Sequence, residues 1–264
     1  MEKMKSRGDL WLTLLTDGSP VSYKTAPSVK AVRFEGAVYL AVIPDPNNLY
    51  PRARHGEVGL IEGWTLAKVI HSVIDQDRYS AVKTPIIAVV DVTSQAYGRR
   101  EEAFGIHQAL AGAAAAYAQA RMAGHPVIAL IVGKAMSGAF LAHGYQANEL
   151  IAFDDPAVLI HAMGKESAAR ITLRTVQELD RFAAKVPPMA YDIKHYATLG
   201  LLSALLHIEN PDAPNEDDVV LVKTTLSCAI AKAKRDGIRL DNRLGSKNRS
   251  ATIEVRNRMK AVWN

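Results

Sequence analysis

Hydrophobic and polar positions change period repeatedly along this chain, and each change marks an element. Residues 29–34 and 38–43 alternate apolar with other side chains around Glu35-Gly36-Ala37, which predicts a β-hairpin. Pro44-Asp45-Pro46-Asn47-Asn48 predicts a loop. Trp64, Leu66, Val69, Ile70, Val73 and Ile74 recur at helical spacing, so an amphipathic helix is expected over about 63–76. A strand at 86–91 and a long helix near 101–123 follow. Residues 127–132 form a continuous apolar run of the kind a strand covered on both faces shows. It is read as stopping at Gly133, with a helix from about Gly138. Short strands are expected at 149–153 and 158–160, then a helix near 166–184, a break at Pro187-Pro188 and a further helix over about 189–206. Residues 210–218, with Pro211 and Pro214 among four acidic residues, read as an exposed connection before helices near 219–236 and 251–262.

Strands alternating with helices imply an α/β fold with largely parallel pairing. At 264 residues the chain holds one large domain or two small ones, and 48% hydrophobic with 22% charged residues predicts a sizeable core. With 32 basic and 27 acidic side chains the net charge is +5, a balance that favours acidic partners without demanding nucleic acid. Basic residues crowd the tail from Lys232, where a solvated helix face and a surface for an acidic partner are the two readings. The sole cysteine, Cys228, excludes an internal disulfide and suits a reducing compartment. Residues 1–9 carry charges of both signs and lack a signal-peptide core. The alanine-rich stretch 109–120 is too short and too weakly apolar to span a bilayer, so a cytoplasmic protein with no membrane partner is expected.

Two places carry candidate chemistry. The strand at 127–132 runs into Gly133-Lys134-Ala135-Met136-Ser137-Gly138-Ala139, and the strand at 86–91 into Thr93-Ser94-Gln95-Ala96-Tyr97-Gly98. A strand that breaks into a glycine-containing turn and opens a helix leaves backbone N–H groups without partners, and such groups can hold a developing oxyanion. Gly133-Lys134 is not a phosphate loop, because the earlier glycine and the following Ser or Thr are missing. No histidine pair has metal-ligand spacing, so no metal site is expected. Ser137 has two readings: the nucleophile of a strand-turn-helix elbow, or a small spacer that lets backbone approach a ligand. Tyr97 either donates to a bound carboxylate or packs. Arg99-Arg100 either meet an anion or are solvated, and Glu101-Glu102 complement a helix N-terminus. His161 ends a short apolar strand beside Ala162-Met163-Gly164 and is the histidine placed for function.

The motifs Asp91-Val-Thr-Ser-Gln-Ala-Tyr-Gly-Arg-Arg-Glu-Glu102, Gly133-Lys-Ala-Met-Ser-Gly-Ala-Phe140 and Pro156-Ala-Val-Leu-Ile-His-Ala-Met-Gly-Lys-Glu166 resemble the carboxyltransferase branch of the crotonase superfamily. With Gly-Glu-Val-Gly-Leu at 56–60 and Glu62-Gly63-Trp64, the chain looks most like the gamma-subunit family of biotin-independent malonate decarboxylases. The resemblance is strongest over about 25–205. It implies a single crotonase-like ββα-spiral domain spanning 1–264, with a helical C-terminal extension from about 216. It also implies two oxyanion holes, whose amides map to Gln95 and Ala96 and to Gly138 and Ala139. Tyr97, Gly98, Ser137 and His161 are then substrate contacts. Thr93 and Ser94 stand where the family usually has Pro and Gly, and Ser137 replaces a glycine. The expected activity is decarboxylation of a malonyl thioester on a small acyl-carrier protein. No cofactor is tightly bound, and the thioester rides on a phosphopantetheine-type arm of the carrier protein or on coenzyme A. The expected partners are a homologous beta subunit and the carrier protein. A biotin-dependent carboxyltransferase subunit and a non-catalytic scaffold subunit are the alternatives.

Overall fold

A computed structural model of the chain describes residues 6–263, so the first part of the charged N-terminal run lies outside the described residues. Strands β1 (Val29–Phe34) and β2 (Ala37–Val42) form the predicted antiparallel hairpin, with Glu35 and Gly36 both at positive φ in the turn. From β2 onward pairing is parallel through β3 (Ile86–Val92), β4 (Val127–Met136), β5 (Glu149–Phe153) and β7 (Ala204–Leu206). The short β6 (Ile160–His161) pairs with the far end of β4. Nearly every residue of β2 to β5 is buried, so helices cover both faces of the sheet.

Helices α2 (Leu60–Gln76) and α4 (Ile106–Met122) pack against one another. A Cβ at Gly63 would sit 2.6 Å from the Ala109 carbonyl oxygen, so the two helices approach backbone to backbone. Ala109, Ala113, Ala116 and Ala120 are all buried, which explains the alanine-rich stretch as a packing face. Helix α1 (Arg7–Leu15) lies against β2 to β4 and touches α9 (Glu216–Asp236). It buries Trp11, Leu12 and Leu15, and Trp11 Nε1–H donates to the Pro211 carbonyl at 2.9 Å. The connection at 210–218 is therefore mostly exposed but pinned at the buried Pro211.

Several expected boundaries move, each for a physical reason. The helix over 101–123 is two helices, α3 (Arg99–Ala103) and α4, parted where Gly105 takes φ +80°. The helix over 166–184 divides into α6 (Lys165–Ile171) and α7 (Val176–Ala183), because Thr175 and Glu178 form a capping box that starts a new helix. Residues 189–206 hold only the short α8 (Ile193–Ala197), after which Gly200 at φ +69° turns the chain into β7 beside β5. The strand over 158–160 sits at β6 instead, one to two residues on. Helix α10 (Ser250–Val262) ends the chain with no buried residue, and Cys228 is exposed on α9.

Helix α5 (Ser137–Ala142) follows β4 and is anchored by the wholly buried His143. Its Nε2–H donates to the Val89 carbonyl at 3.1 Å, which leaves Nδ1 to accept from the Tyr117 hydroxyl at 2.9 Å. Burial pulls this imidazole from an ordinary 6.5 to about 4. Because the folded value lies below the unfolded one, the stabilisation is complete above about pH 6.5 and is lost as pH falls toward 4. Urea unfolding should show a loss of about 2 kcal/mol from this site by about pH 5, a pH slope that His143→Gln should remove. Gly63→Ala, despite its better helix propensity, should lower stability by about 1–3 kcal/mol, since the Ala109 backbone has to shift.

Candidate functional site

Asp91 organises the region where both predicted turns meet. The β3–β4 register slips between Val90 and Val92, where Val90 faces Ile131 but Val92 faces Ala135. The Asp91 carboxylate fills the resulting bulge: Oδ1 accepts from the Lys134 N–H at 3.1 Å and Oδ2 from the Gly8 N–H at 3.2 Å. Gly133 is the residue that makes room, since a Cβ there would overlap Asp91 Oδ1. Past the bulge the strand resumes, because the Ala135 N–H donates to the Leu159 carbonyl at 2.8 Å and Ala135 and Met136 pair with β6. This corrects the expectation that the strand ends at Gly133.

The first turn, residues 93–98, leans on the segment before α2. The Val58 N–H donates to the Ser94 carbonyl at 3.0 Å and the Ala96 N–H to the Val58 carbonyl at 2.9 Å. Val58 is held in turn by Gly59, whose N–H donates to the buried Glu62 carboxylate at 2.9 Å. The same carboxylate accepts from Ser28 Oγ and Asn48 Nδ2. The Ala96 amide is therefore committed to the fold, which corrects the expectation of two free donors in this turn. Of the pair, only the Gln95 N–H lacks an acceptor among the described residues. Tyr97 is 57% exposed, and its phenol's interaction with Glu102 raises its pKa. Gly98 leads into α3 against Glu101 and Arg52, which crowd the space a Cβ would take.

The second turn is strained. Ser137 sits at φ +62°, a left-handed conformation that costs a non-glycine residue about 1–3 kcal/mol. The strain re-aims the chain so that the Gly138 N–H donates to the side-chain Oε1 of Gln95 at 2.7 Å. The two turns thus do converge, through the Gln95 side chain. The next amide, of the buried Ala139, has no acceptor among the described residues.

Ser137 and Gly138 open on a cavity of about 310 Å³, shared with His161, Phe140, Tyr145 and Tyr196. The His161 ring stacks on Tyr191 with centroids 3.9 Å apart and an interplanar angle of 14°. Its Nδ1 is turned to the Met163 backbone, 3.1 Å from the carbonyl oxygen, and partial burial lowers its pKa. The imidazole is accordingly neutral near pH 7. No hydrogen bond joins Ser137 to a histidine among the described residues, so the elbow has its strain without a base in contact. Gln95, Ala96, Tyr97, Gly98 and Ala139 do not line the cavity; Gln95 reaches Gly138 by its side chain alone. Among the described residues no three His, Cys, Asp or Glu side chains gather as metal ligands. The sequence reading passed over Asp91 and the side chain of Gln95 as organising groups. An acidic residue ending one strand, paired with a glycine in its neighbour, was the available signal.

One family model covers this geometry. The model of the malonate decarboxylase gamma subunit matches residues 53–263, which take in both turns, the cavity and the C-terminal helices. The chain belongs to that family. A Pseudomonas malonate decarboxylase hetero-tetramer in complex with coenzyme A contains a chain that superposes with TM-score 0.94 at 53% identity, over 98% of this chain and 100% of that one. The malonyl-S-ACP:biotin-protein carboxyltransferase MADD of Malonomonas rubra is 32% identical over 163 residues, which is 61% of this chain and 56% of that relative. A transcarboxylase 12S chain shares the fold at TM-score 0.61 and 19% identity, over 88% of this chain and 42% of that one. The architecture is the crotonase-like α/β fold of the carboxyltransferases. Among the described residues no helix of this gamma-subunit homologue is long and apolar enough to cross a membrane.

Gly133→Ala should expel Asp91 from the bulge and leave the amides of Gly8 and Lys134 without their acceptor. A stability loss of about 2–4 kcal/mol is expected in urea unfolding, with Asp91→Ala giving a similar loss.

Proposed function

We propose that this chain is one half of a malonyl-thioester decarboxylase, converting malonyl-S-carrier protein to the acetyl thioester and carbon dioxide in concert with a homologous partner subunit. The observation that carries the reading is the Gly138 N–H beside the strained Ser137, with Gln95 Oε1 held at 2.7 Å. That separation is at the short end of the ordinary N–H···O range, and the glutamine oxygen stands where an anionic substrate oxygen would sit. Membership of the malonate decarboxylase gamma-subunit family and the coenzyme A complex of the Pseudomonas relative support it.

The chemistry needs little beyond such donors. As the bond between Cα and the carboxyl carbon breaks, carbon dioxide leaves and the electron pair passes through Cα onto the thioester oxygen, giving an enolate. Cα then takes up one proton. Substrate oxygen displaces Gln95 Oε1 from Gly138, and the Gln95 and Ala139 amides, which have no acceptor among the described residues, are further donors of the two turns. A donor fixed where charge develops stabilises the transition state more than the substrate. Neutral His161 and the Ser137 hydroxyl face the same cavity and orient the bound acyl group. Tyr97, exposed at the rim of the first turn, and the buried Gly98 beside it are assigned to contact with the arriving thioester arm. That arm is of the phosphopantetheine type, borne by the carrier protein or by coenzyme A. The exposed Cys228, with no second cysteine to join, suits a reducing cytoplasm.

A second reading has one observation in its favour, the likeness to the Malonomonas biotin-protein carboxyltransferase. In it the same amides hold the ureido oxygen of carboxybiotin. Avidin added to the purified complex should leave decarboxylation unchanged under the first reading and stop it under the second.

Proline is tolerated in the first turn of a helix, so Gly138→Pro removes the donor with limited damage to α5. In the complex reconstituted with its partner, this variant should lose about 10²–10³-fold in kcat, with subunit assembly unchanged on size exclusion. Gly138→Ala keeps the N–H and should retain far more activity. Full activity in the proline variant excludes this pocket from the reaction.

A further inference from the structure

A second cleft, of about 300 Å³, lies on the other side of the cavity wall, and Tyr145 and Leu201 line both. Three arginines converge on it: Arg243, Arg249 and Arg256. Arg243 is only 7% exposed, and its Nη1 donates to the Tyr145 carbonyl at 2.7 Å. Its Nε and Nη2 are shielded from solvent and have no hydrogen-bond partner among the described residues. A buried guanidinium with two idle donors and no ion-pair partner among the described residues is costly unless something anionic completes it.

No nearby carboxylate forms an ion pair with Arg243 among the described residues. Glu149 gives Oε1 to Lys232 at 2.6 Å and to Asn242 and acts on Arg243 only across space, and Asp241, which lines the cleft, faces Arg239 at 3.6 Å. None of the three arginines forms an ion pair among the described residues. Arg249 spends one nitrogen on the Arg243 carbonyl at 2.5 Å and keeps its other donors. Arg256 projects from α10, the helix without a single buried residue.

We propose that this cleft binds a phosphate ester, with Arg249 and Arg256 making the contacts and the buried Arg243, two of whose donors are idle, supplying positive field behind them. Guanidinium forks match phosphate oxygens in pairs, and a group of higher charge than a single carboxylate suits three cations. Adjacency to the Ser137 cavity makes the phosphate of the thioester arm the natural occupant. This assignment of source rests on the function proposed above, whereas the anion site itself does not.

Inorganic phosphate titrated into the reconstituted complex, followed by calorimetry, should bind about tenfold more weakly to Arg256→Ala, as loss of one charged hydrogen-bond partner predicts. The same variant should lower kcat/KM for malonyl-coenzyme A about tenfold relative to a phosphate-free malonyl thioester of N-acetylcysteamine. Phosphate competing against both malonyl-coenzyme A and malonyl-carrier protein identifies the phosphate next to pantetheine. Competition against coenzyme A alone identifies a nucleotide phosphate. Equal phosphate binding by wild type and variant overturns the site. So does a variant whose only defect is weaker assembly, because a partner carboxylate would then be the missing counter-charge. Failure of wild type to turn over either thioester refutes the decarboxylase reading alone, since the phosphate titration needs no substrate.

Discussion

The Asp91 carboxylate in the β4 bulge is the interaction on which the site depends. It lies one residue before the end of β3, and from its two oxygens it holds the Lys134 amide of β4 and the Gly8 amide at the start of α1. Without an acceptor there, β4 would have no reason to slip register. The slip takes two extra residues into β4, so without it Ser137 would keep its face but stand two positions out of step, and Gly138 would not meet Gln95. One carboxylate therefore helps decide where the amides of the next turn stand. Gly133 completes the device, because only the absence of a Cβ lets the carboxylate lie in the strand it organises.

Strain and internal satisfaction then act together at Ser137 and Gly138. A left-handed serine is unfavourable, and the bond from Gly138 to Gln95 Oε1 offsets part of that cost in the free state. The glutamine therefore does two jobs that would otherwise conflict. It keeps a buried amide from being orphaned, and it keeps that amide aimed at a point where an acceptor is welcome. A neutral amide oxygen is a weaker acceptor than an enolate, so exchanging one for the other favours the charged species without rebuilding the turn. Such preorganisation explains why an amide that looks occupied is the better candidate than one lost in the fold, as Ala96 is to Val58.

Much of this was legible in the residues, unevenly. The hairpin, β3, the start of β4, β5 and α2 follow from alternation or continuous apolarity, because their burial is decided by local pattern. Helix α1 hid behind charges of both signs, although Trp11, Leu12 and Leu15 are buried. Strand β7 hid because Ala204–Leu206 is short, follows a helical stretch, and owes its identity to pairing with β5. The two site turns were located, and their family likeness pointed at the amides of Gln95, Ala96, Gly138 and Ala139, of which that of Ala96 is taken up by Val58. Which amide is free could not be read from sequence. Val58 and Gln95 decide that through contacts 38 to 43 residues away in the chain.

The basic tail shows how one compositional signal divides once folded. Lys232 neutralises the buried Glu149 and also meets Asp236, so its charge belongs to the fold. Arg258 pairs along its own helix with Glu254, as a solvated face would. Arg243 does neither: it is buried against Tyr145 and Tyr196 with donors to spare, and burial lowers its pKa. A chain does not bury an unpaired cation for stability, since an apolar residue of similar volume would cost less. Its placement behind the wall of the Ser137 cavity is better understood as a field directed at whatever anion the cavity and its neighbouring cleft receive. The surplus of positive charge along the sequence is thus mostly ordinary surface, and the part of it that the proposed phosphate cleft draws on is Arg243, Arg249 and Arg256.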